Sequence, residues 1–251
     1  MLAVLGVAVG CGTLLGVEEE PEQITRPDGG GDGDPEGDAR SDRDSGQADD
    51  AAFDSEIEAS CVDAASDPDN CGACGRKCNL DAGCTSGRCE RFVVFVTSTT
   101  QDGAFNGTNA DKRCTDLAHD AGLGGDFRVW IGGPGTANRF APEVVAPYHR
   151  TNGERVSTKW PPGGALERPI RYDERGAQPT GTSQVWSDLY GDGSVAPSAT
   201  VNNCLGWVTQ AINQQGGYGE SASSTAEWTR GTIPNDMPCS TRLRLYCVET
   251  P

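Results

Sequence analysis

Cysteine spacing is the sequence feature that most constrains the fold of this chain. Of its eleven cysteines, six lie within thirty residues: Cys61, Cys71, Cys74, Cys78, Cys84 and Cys89. Such close spacing is typical of metal ligands, of a redox pair or of a disulfide framework. The compartment decides among the three, because thiols persist where it is reducing and become cross-links where it is oxidising. The location of the chain therefore determines how this segment folds.

The first residues predict export. Residues 1–9 are apolar and too few to span a bilayer, and a cysteine follows at position 11. Residues 8–11, AVGC, resemble the lipobox of bacterial lipoproteins, in which the cysteine is acylated and becomes the new N-terminus. The resemblance implies a signal peptide over residues 1–10 and membrane attachment through lipid on Cys11. With Gly12 next to that cysteine, it also implies sorting to the outer membrane or cell surface.

Two further observations bear on that interpretation. A secretory signal begins with basic residues, and none precedes Cys11, so we expect Met1 to be an internal start codon. The alternative is a frayed apolar N-terminus on a cytosolic protein, which would be a solubility liability. If Cys11 carries lipid, ten cysteines remain, an even number that suits complete pairing outside the cytoplasm.

Residues 11–60 predict a disordered acidic linker. They are poor in apolar residues and rich in Gly and Pro, so they cannot bury enough surface to offset the entropy of ordering. Residues 17–60 contain sixteen acidic residues and three arginines, and their net charge of −13 accounts for most of the chain's −17. This charge disfavours nucleic acid as a partner. Residues 32–38 follow half of an EF-hand loop, but Arg43 stands where a bidentate Glu is needed.

Residues 61–90 predict a small disulfide module. They contain four glycines and almost no large apolar side chain, so cross-links must replace a core. The sequence DPDNCGACGRKC, followed by CTSGRC, resembles the cysteine-rich modules of the stigma-specific protein family. Zinc and thioredoxin-like chemistry are the alternatives, but the module lacks His, and Cys71 and Cys74 do not follow a strand at a helix start. Six cysteines allow many pairings, and the sequence does not choose among them.

A folded domain is predicted from residue 91 to the end. The aromatic and β-branched residues 91–98 favour a buried strand, and further strands are predicted at 127–133, 204–210 and 243–248. Thr108 or Asn109 can cap a helix that Gly122 ends. Its apolar residues recur at helical spacing: Ala110, Cys114, Leu117, Ala118 and Ala121. Residues 134–203 show little periodicity and predict long loops.

Several motifs resemble the C-type lectin-like superfamily. Residues 130–132 read WIG, as in the core motif of that superfamily, and Cys239 and Cys247 are spaced like its last two cysteines. Asn235 and Asp236 match two residues of its WND motif, with Pro234 in place of the Trp. Residues 107–131 are similar to the helix and strand of endostatin, a divergent member. The ends of residues 91–251 resemble an uncharacterised domain of bacterial surface lipoproteins grouped with endostatin-like folds.

The resemblance implies an α+β fold with one main helix, short antiparallel strands and long loops. It also implies that Cys114 pairs with Cys247, and Cys204 with Cys239; the sequence by itself leaves the pairing open. A disulfide that closes so long a loop as 114–247 is expected to stabilise the fold by about 4 to 5 kcal/mol.

In sugar-binding members of the superfamily, a calcium ion joins the protein to sugar hydroxyls. The resemblance makes Asn235 and Asp236 candidate calcium ligands, and through the ion candidate glycan ligands. Further oxygen ligands could come from Asp188, Asp192 and Glu227. However, Asn203 stands before Cys204 where a Glu is usual, and the Glu-Pro-Asn or Gln-Pro-Asp motif is missing. The alternative is that Asn235 and Asp236 form a turn, as both residues readily do.

Three tryptophans are candidates for stacking on sugar rings: Trp186, Trp207 and Trp228. The alternative is that they are core residues, the commoner role of Trp. Arginines between residues 139 and 175 could bind an anionic polysaccharide, but interleaved acidic residues leave a net charge of only +2. His119 and His149 are the only histidines and match no catalytic motif, so we expect no enzyme.

The sequence thus predicts an exported lipoprotein whose lectin-like domain binds a glycan or a protein outside the cell. A structural or adhesive surface protein without a small ligand is the alternative, and an extracytoplasmic hydrolase is a third hypothesis.

Overall fold

The computed structural model of this chain describes residues 63–133, 139–140, 142–195, 203–230 and 236–251. These residues have mixed α and β structure, mostly sheet, and belong to one compact unit, Phe53–Pro251. The expected signal peptide, the lipidated Cys11, the acidic linker and Cys61 lie outside the described residues. None of the described helices is long and apolar enough to cross a membrane.

The described residues form ten strands and one regular helix. The strands are β1 (Cys84–Thr85), β2 (Arg88–Cys89), β3 (Phe92–Val96), β4 (Asp126–Val129), β5 (Tyr148–His149), β6 (Arg155–Ser157), β7 (Gln184–Trp186), β8 (Gln215–Glu220), β9 (Asp236–Pro238) and β10 (Arg244–Thr250). The helix is α1 (Gly107–Asp120), and a short helical segment, α2 (Asn203–Trp207), and a 3₁₀ turn at Ala226–Trp228 follow later. β1 and β2 form a separate hairpin in the cysteine-rich module, and the other strands form one eight-stranded sheet.

The last strand, β10, is the centre of the sheet. β3 pairs with it along one edge, and β4 and β7 pair with it along the other. Its first six residues are buried, because one face packs against α1 and the other against a second apolar cluster. The expectation of antiparallel strands is wrong at two places, since β10 and β7 pair in parallel, as do β3 and β5.

Helix α1 forms as its apolar periodicity predicts. Ala110, Cys114 and Ala118 are its buried residues and pack against the sheet, and Gly122 adopts a positive φ just after the helix. The cap lies slightly earlier than predicted, because the side chain of Asn106 accepts a hydrogen bond from the Thr108 amide at 3.0 Å. An Asn at this position satisfies a backbone donor that the helix leaves without a partner.

Side chains of α1 also complete the hydrogen bonding of β4. Asp111 accepts from the Val129 amide at 2.8 Å, and Thr115 accepts from the Phe127 amide at 3.1 Å. An open strand edge can pair with another chain, and polar side chains on this edge occupy its donors. Burial raises the pKa of Asp111 against the lowering effects of the Val129 amide, Arg139 and Arg128.

The strand predicted at 204–210 is wrong. Asn203–Trp207 instead forms the short segment α2, in which every residue has a positive φ. Left-handed backbone is unfavourable for residues with a side chain, so neighbouring contacts must hold it. The disulfide from Cys204 to Cys239 and a 2.5 Å hydrogen bond from Trp207 Nε1 to the Gly132 carbonyl supply those contacts. The apolar residues of 204–210 predict a strand. That prediction is wrong because local sequence does not reveal the tertiary contacts that impose the left-handed backbone.

Disulfides form in both cysteine-bearing regions. In the domain, Cys114 pairs with Cys247 and Cys204 with Cys239, which is the pairing that the resemblance implies. In the module, the bonds are Cys71–Cys84 and Cys78–Cys89, and Cys74 is also disulfide-bonded. The described cysteines of the module are therefore all in cross-links, as an oxidising compartment favours.

The cysteine-rich module packs directly onto the sheet domain. The Asn79 side chain donates to the Gly124 carbonyl at 3.0 Å and accepts from the Gly124 amide at 2.7 Å. Arg76 donates to the Thr250 carbonyl at 3.2 Å, at the end of β10. Gly124 is needed at this contact, because a Cβ there would lie 2.5 Å from the Lys77 carbonyl oxygen.

A buried carboxylate lies at this junction. Glu249 of β10 is 1% exposed and accepts a hydrogen bond from the Val93 amide at 2.7 Å. Its other oxygen, Oε1, has no hydrogen-bond partner among the described residues. Burial raises the pKa of Glu249 to about 7, although the Asn79 side chain, the Val93 amide and Arg76 oppose that rise.

A buried arginine holds the long loops at the opposite end of β10. The guanidinium of Arg244 donates to the carbonyls of Thr97, Ser98, Thr180 and Thr182 at 2.6 to 3.2 Å. Carbonyls in loops lack the partners that a helix or sheet would give them, and this single side chain satisfies four of them.

The two domain disulfides should contribute unequally to stability. They separate cysteines by 133 and 35 residues. Because the longer loop loses more entropy on closure, replacing Cys114 and Cys247 together by Ala should lower the free energy of unfolding by about 5 kcal/mol, and replacing Cys204 and Cys239 by about 4 kcal/mol. Urea denaturation of the two double variants measures both values. The reverse order would show that native contacts, rather than loop closure, set the contribution of each bond.

Glu249 should make the fold less stable as pH rises. Its pKa is about 7 in the folded chain against an ordinary 4.5, so the folded state holds the proton more tightly between these values. The free energy of unfolding should fall from pH 4.5 to 7, by up to ~3 kcal/mol from this residue, and level off above.

The matched variants are Glu249→Gln and the exposed Glu227→Gln, compared by urea denaturation across this pH range. In Glu249→Gln, the free energy of unfolding should fall less between pH 4.5 and 7, because the contribution of Glu249 to that fall is removed, and it should stay near its low-pH value at pH 8. In Glu227→Gln, the free energy of unfolding should change with pH as it does in the parent chain. Asp111, whose pKa is also raised, adds a fall of the free energy of unfolding with rising pH that is present in the parent and in both variants. Identical pH profiles for Glu249→Gln and the parent would contradict the assignment.

Candidate ligand-binding cleft

The structure brings two of the predicted calcium ligands to opposite sides of one glycine. Asp236 begins β9, is partly exposed, and pairs with Gly217 of β8. Asp188 follows β7 and lies against the same glycine, where a Cβ would be 2.5 Å from its Oδ1. Asn235 lies outside the described residues. Of the proposed set, Asp188 and Asp236 are therefore neighbours in the fold.

The Asp188 carboxylate already has a cation close by. It is 1% exposed, and Nη1 of Arg230 lies 3.8 Å from its Oδ1. The guanidinium in turn lies over the Tyr190 ring, 5.3 Å from the ring centroid. A metal ion at this carboxylate would have to overcome the repulsion of Arg230 in a poorly solvated place.

The other predicted oxygen ligands serve local turns. Asp192 accepts hydrogen bonds from the amide and hydroxyl of Ser194 at 2.9 and 2.6 Å, and these bonds lower its pKa. Glu227 lies in the exposed 3₁₀ turn, where its amide donates to the capping Thr225. Neither residue is grouped with Asp188 and Asp236 as a metal-binding cluster; within the described ranges, the one group of three close metal-ligating side chains is Cys71, Cys78 and Cys89.

All three candidate tryptophans are core residues. Trp186, Trp207 and Trp228 are at most 1% exposed, and each indole N–H donates to a backbone carbonyl. Trp186 and Trp207 pack edge to face, and Trp228 stacks on Trp130. Their ring faces are covered by protein, so the expected sugar-stacking surface is not formed by these residues.

An open cleft of about 880 Å³ lies between the cysteine-rich module and the loop that leads into β5. Its apolar lining includes five aromatic or aliphatic side chains: Phe92, Phe140, Val144, Tyr148 and Trp160. These rings are part of a larger aromatic cluster, since Tyr148 lies 5.3 Å from both Phe92 and Trp160 between centroids. Phe92, Tyr148 and Trp160 are at most 2% exposed, so the apolar surface that a ligand can reach comes from the partly exposed Phe140 and Val144.

Six residues with ionisable side chains also line the cleft: Arg88, Glu90, Arg128, Arg139, Glu143 and the buried Glu249. Arg128 donates to the Arg139 carbonyl at 3.0 Å, and Arg139 forms an ion pair with Asp111 of α1. Glu143 pairs with Lys159 at 2.7 Å, half-exposed on both sides. The cleft thus offers both hydrogen-bond donors and acceptors around an apolar lining.

Most of the arginines that are candidates for binding an anionic polysaccharide form ion pairs with acidic side chains. Arg150 pairs with Glu154, Arg155 with Glu167 at 2.9 Å, and Arg175 with Glu174 at 3.1 Å. This arrangement matches the low net charge of the segment and leaves little excess positive potential.

The two histidines do not form a catalytic pair. His119 is exposed on α1, with Nε2 3.0 Å from the Gly125 carbonyl oxygen, whereas His149 lies in β5 with Nδ1 2.9 Å from the Gly153 carbonyl oxygen. Each ring therefore bonds to its own neighbouring turn. The metal-ligating cluster of Cys71, Cys78 and Cys89 consists of sulfurs already bonded in disulfides, which are not thiolate ligands.

Sequence reasoning did not predict the cleft. Its lining comes from the module hairpin, from β4, from residues 139–148 and from the chain end, so no local pattern joins them. The one available signal was the apolar, proline-containing stretch 140–148, FAPEVVAPY, within a region otherwise rich in polar residues.

Comparison of this chain with models of protein families gave no match, and a search of curated proteins gave none either.

Proposed function

We propose that this chain is an exported, lipid-anchored protein that binds a glycan outside the cell through the cleft beside its cysteine-rich module. The observation that carries the proposal is the cleft itself. Its volume of about 880 Å³ is within the range of small-ligand sites, and it combines the partly exposed Phe140 and Val144 with arginines and carboxylates. Sugars present apolar ring faces and hydroxyls that both donate and accept, so this combination complements them.

We further propose that the domain has the endostatin-like form of the C-type lectin-like fold. In support, a single long helix is tied to the last strand by Cys114–Cys247, and Cys204–Cys239 fastens the loop region. The last strand also lies at the centre of the sheet, and long loops connect the short strands. The ligand site of this proposal is the module cleft rather than the loop residues Asn235 and Asp236.

Export to the outer membrane or cell surface is the location that fits this function. Four disulfides among the described residues need an oxidising compartment. In the lipobox interpretation, Cys11 anchors the chain and residues 11–60 hold the domain away from the bilayer, which gives the cleft access to large extracellular ligands.

A protein-binding or adhesive role is the second candidate, and an apolar surface supports it. Three large apolar side chains in and just after α2 are exposed and lie close together in the sequence. They are Leu205, Val208 and Ile212, with 52%, 59% and 77% of their surface exposed. Exposed apolar residues near one another are common where proteins associate. The hydrolase hypothesis has less support, because the two histidines are bound into separate turns.

A glycan array tests the proposal. The full oxidised chain should give signal that survives calcium chelation, because the carboxylates of the cleft do not form a metal-binding group among the described residues. The variants Arg88→Ala and Phe140→Ala should each weaken binding about tenfold, since each removes a side chain that lines the cleft. The matched control is Asp236→Ala in the loop region, which should bind like the parent.

Two other results would overturn the assignment. Signal lost both on chelation and in Asp236→Ala would move the ligand to the calcium site of the loop region. Absence of signal with every glycan would favour the protein-binding role, and a pull-down with Leu205→Ser and Val208→Ser as negative controls would then follow.

A further inference from the structure

A second cavity continues the cleft along the surface. It has a volume of about 550 Å³, and Glu90 and Pro147 line both cavities. The two cavities are therefore adjacent, and one ligand could occupy both of them. We call the second one the charged groove, because all but one of its lining residues are ionisable.

The charged groove has no excess of either charge. Besides Glu90, Pro147 and His149, it is lined by Arg91, Glu154, Arg155, Glu167 and Arg168. Three arginines thus face three glutamates. The balance makes the groove a poor site for a polyanion, since each arginine that attracts an anionic group is next to a glutamate that repels it.

The ion pairs of the groove are weak enough to open for a ligand. Arg155 and Glu167 are 2.9 Å apart with half-exposed side chains, and Arg168 lies 3.7 Å from Glu154. Exposed pairs of this kind contribute little net energy, so Arg155, Glu167 and Arg168 can turn to ligand groups, whereas Glu154 is also held by the buried Arg150. A neutral molecule rich in hydroxyls is the ligand that uses both kinds of group.

We propose that the cleft and the charged groove together bind one neutral oligosaccharide chain longer than the cleft, with its first sugars against Phe140 and Val144 of the cleft and its later sugars in the groove. This inference rests on the proposed glycan-binding function and specifies its ligand class. A chain that continues past Glu90 and Pro147 loses the apolar lining and meets charged hydrogen-bonding groups. Recognition of the later sugars therefore depends on hydroxyls rather than on ring faces.

The test is a titration with neutral oligosaccharides of increasing length. Chito-, malto- and cello-oligosaccharides, from disaccharide to octasaccharide, are titrated into the full oxidised chain by calorimetry. For the series that binds, affinity should rise at least about tenfold with length, because the groove adds hydrogen bonds to charged groups. Heparin serves as the polyanion and should bind no better than the neutral octasaccharide.

Groove variants separate this inference from the proposed function. Arg155→Ala and Arg168→Ala should weaken the octasaccharide about tenfold and leave the disaccharide unchanged. Lys112→Ala, which removes an exposed cation of α1 that pairs with Asp116, is the control and should change neither.

Each alternative outcome has a distinct meaning. Equal affinity at every length, or equal losses for short and long ligands in the groove variants, would overturn the extended chain while the cleft remains a glycan site. Tighter binding of heparin would overturn the neutral ligand class. Failure of every neutral sugar and of heparin would overturn the proposed function itself.

Discussion

The central strand β10 is the constraint on which the rest of the fold depends. It pairs with β3 on one edge and with β4 and β7 on the other, so a change in its register would disturb three strands at once. Along its length, Arg244 satisfies loop carbonyls, Cys247 bonds to α1, and the Thr250 carbonyl accepts from Arg76 of the module. The strand therefore joins the helix, the loops and the module through separate chemical contacts. A sheet whose strands are mostly short and are connected by long loops needs a central strand of this kind.

Docking of the module at the end of β10 creates the cleft. Asn79 and Arg76 hold the module against Gly124 and Thr250, and the β1–β2 hairpin then stands opposite the loop before β5. Residues 63–90 thus contribute one wall of the cleft. Their disulfides keep that wall rigid without a core, and a rigid wall reduces the entropy lost when a ligand binds.

Parts of this structure follow from local sequence, and others do not. The strand at Phe92–Val96, helix α1 and the final strand are predictable because their apolar periodicity agrees with the tertiary packing. The α2 segment is not, because a disulfide and an indole hydrogen bond impose a backbone that its residues do not favour alone. The cleft is not predictable for the same kind of reason, since Arg88, Arg128 and Phe140 meet only after the chain has folded.

Burial makes the polar groups of the loop region less accessible to a ligand than those of the cleft. Asp188 lies in the protein interior with Arg230 beside it, and a bound ion or sugar would have to compete with that arrangement at a large desolvation cost. The arginines and glutamates of the cleft and groove keep partial contact with water, so exchanging water for sugar hydroxyls costs them little. Charge in the interior of this domain is therefore held by other protein groups, while the half-exposed charges of the cleft and groove are in contact with water and, in the proposed function, exchange that water for sugar hydroxyls.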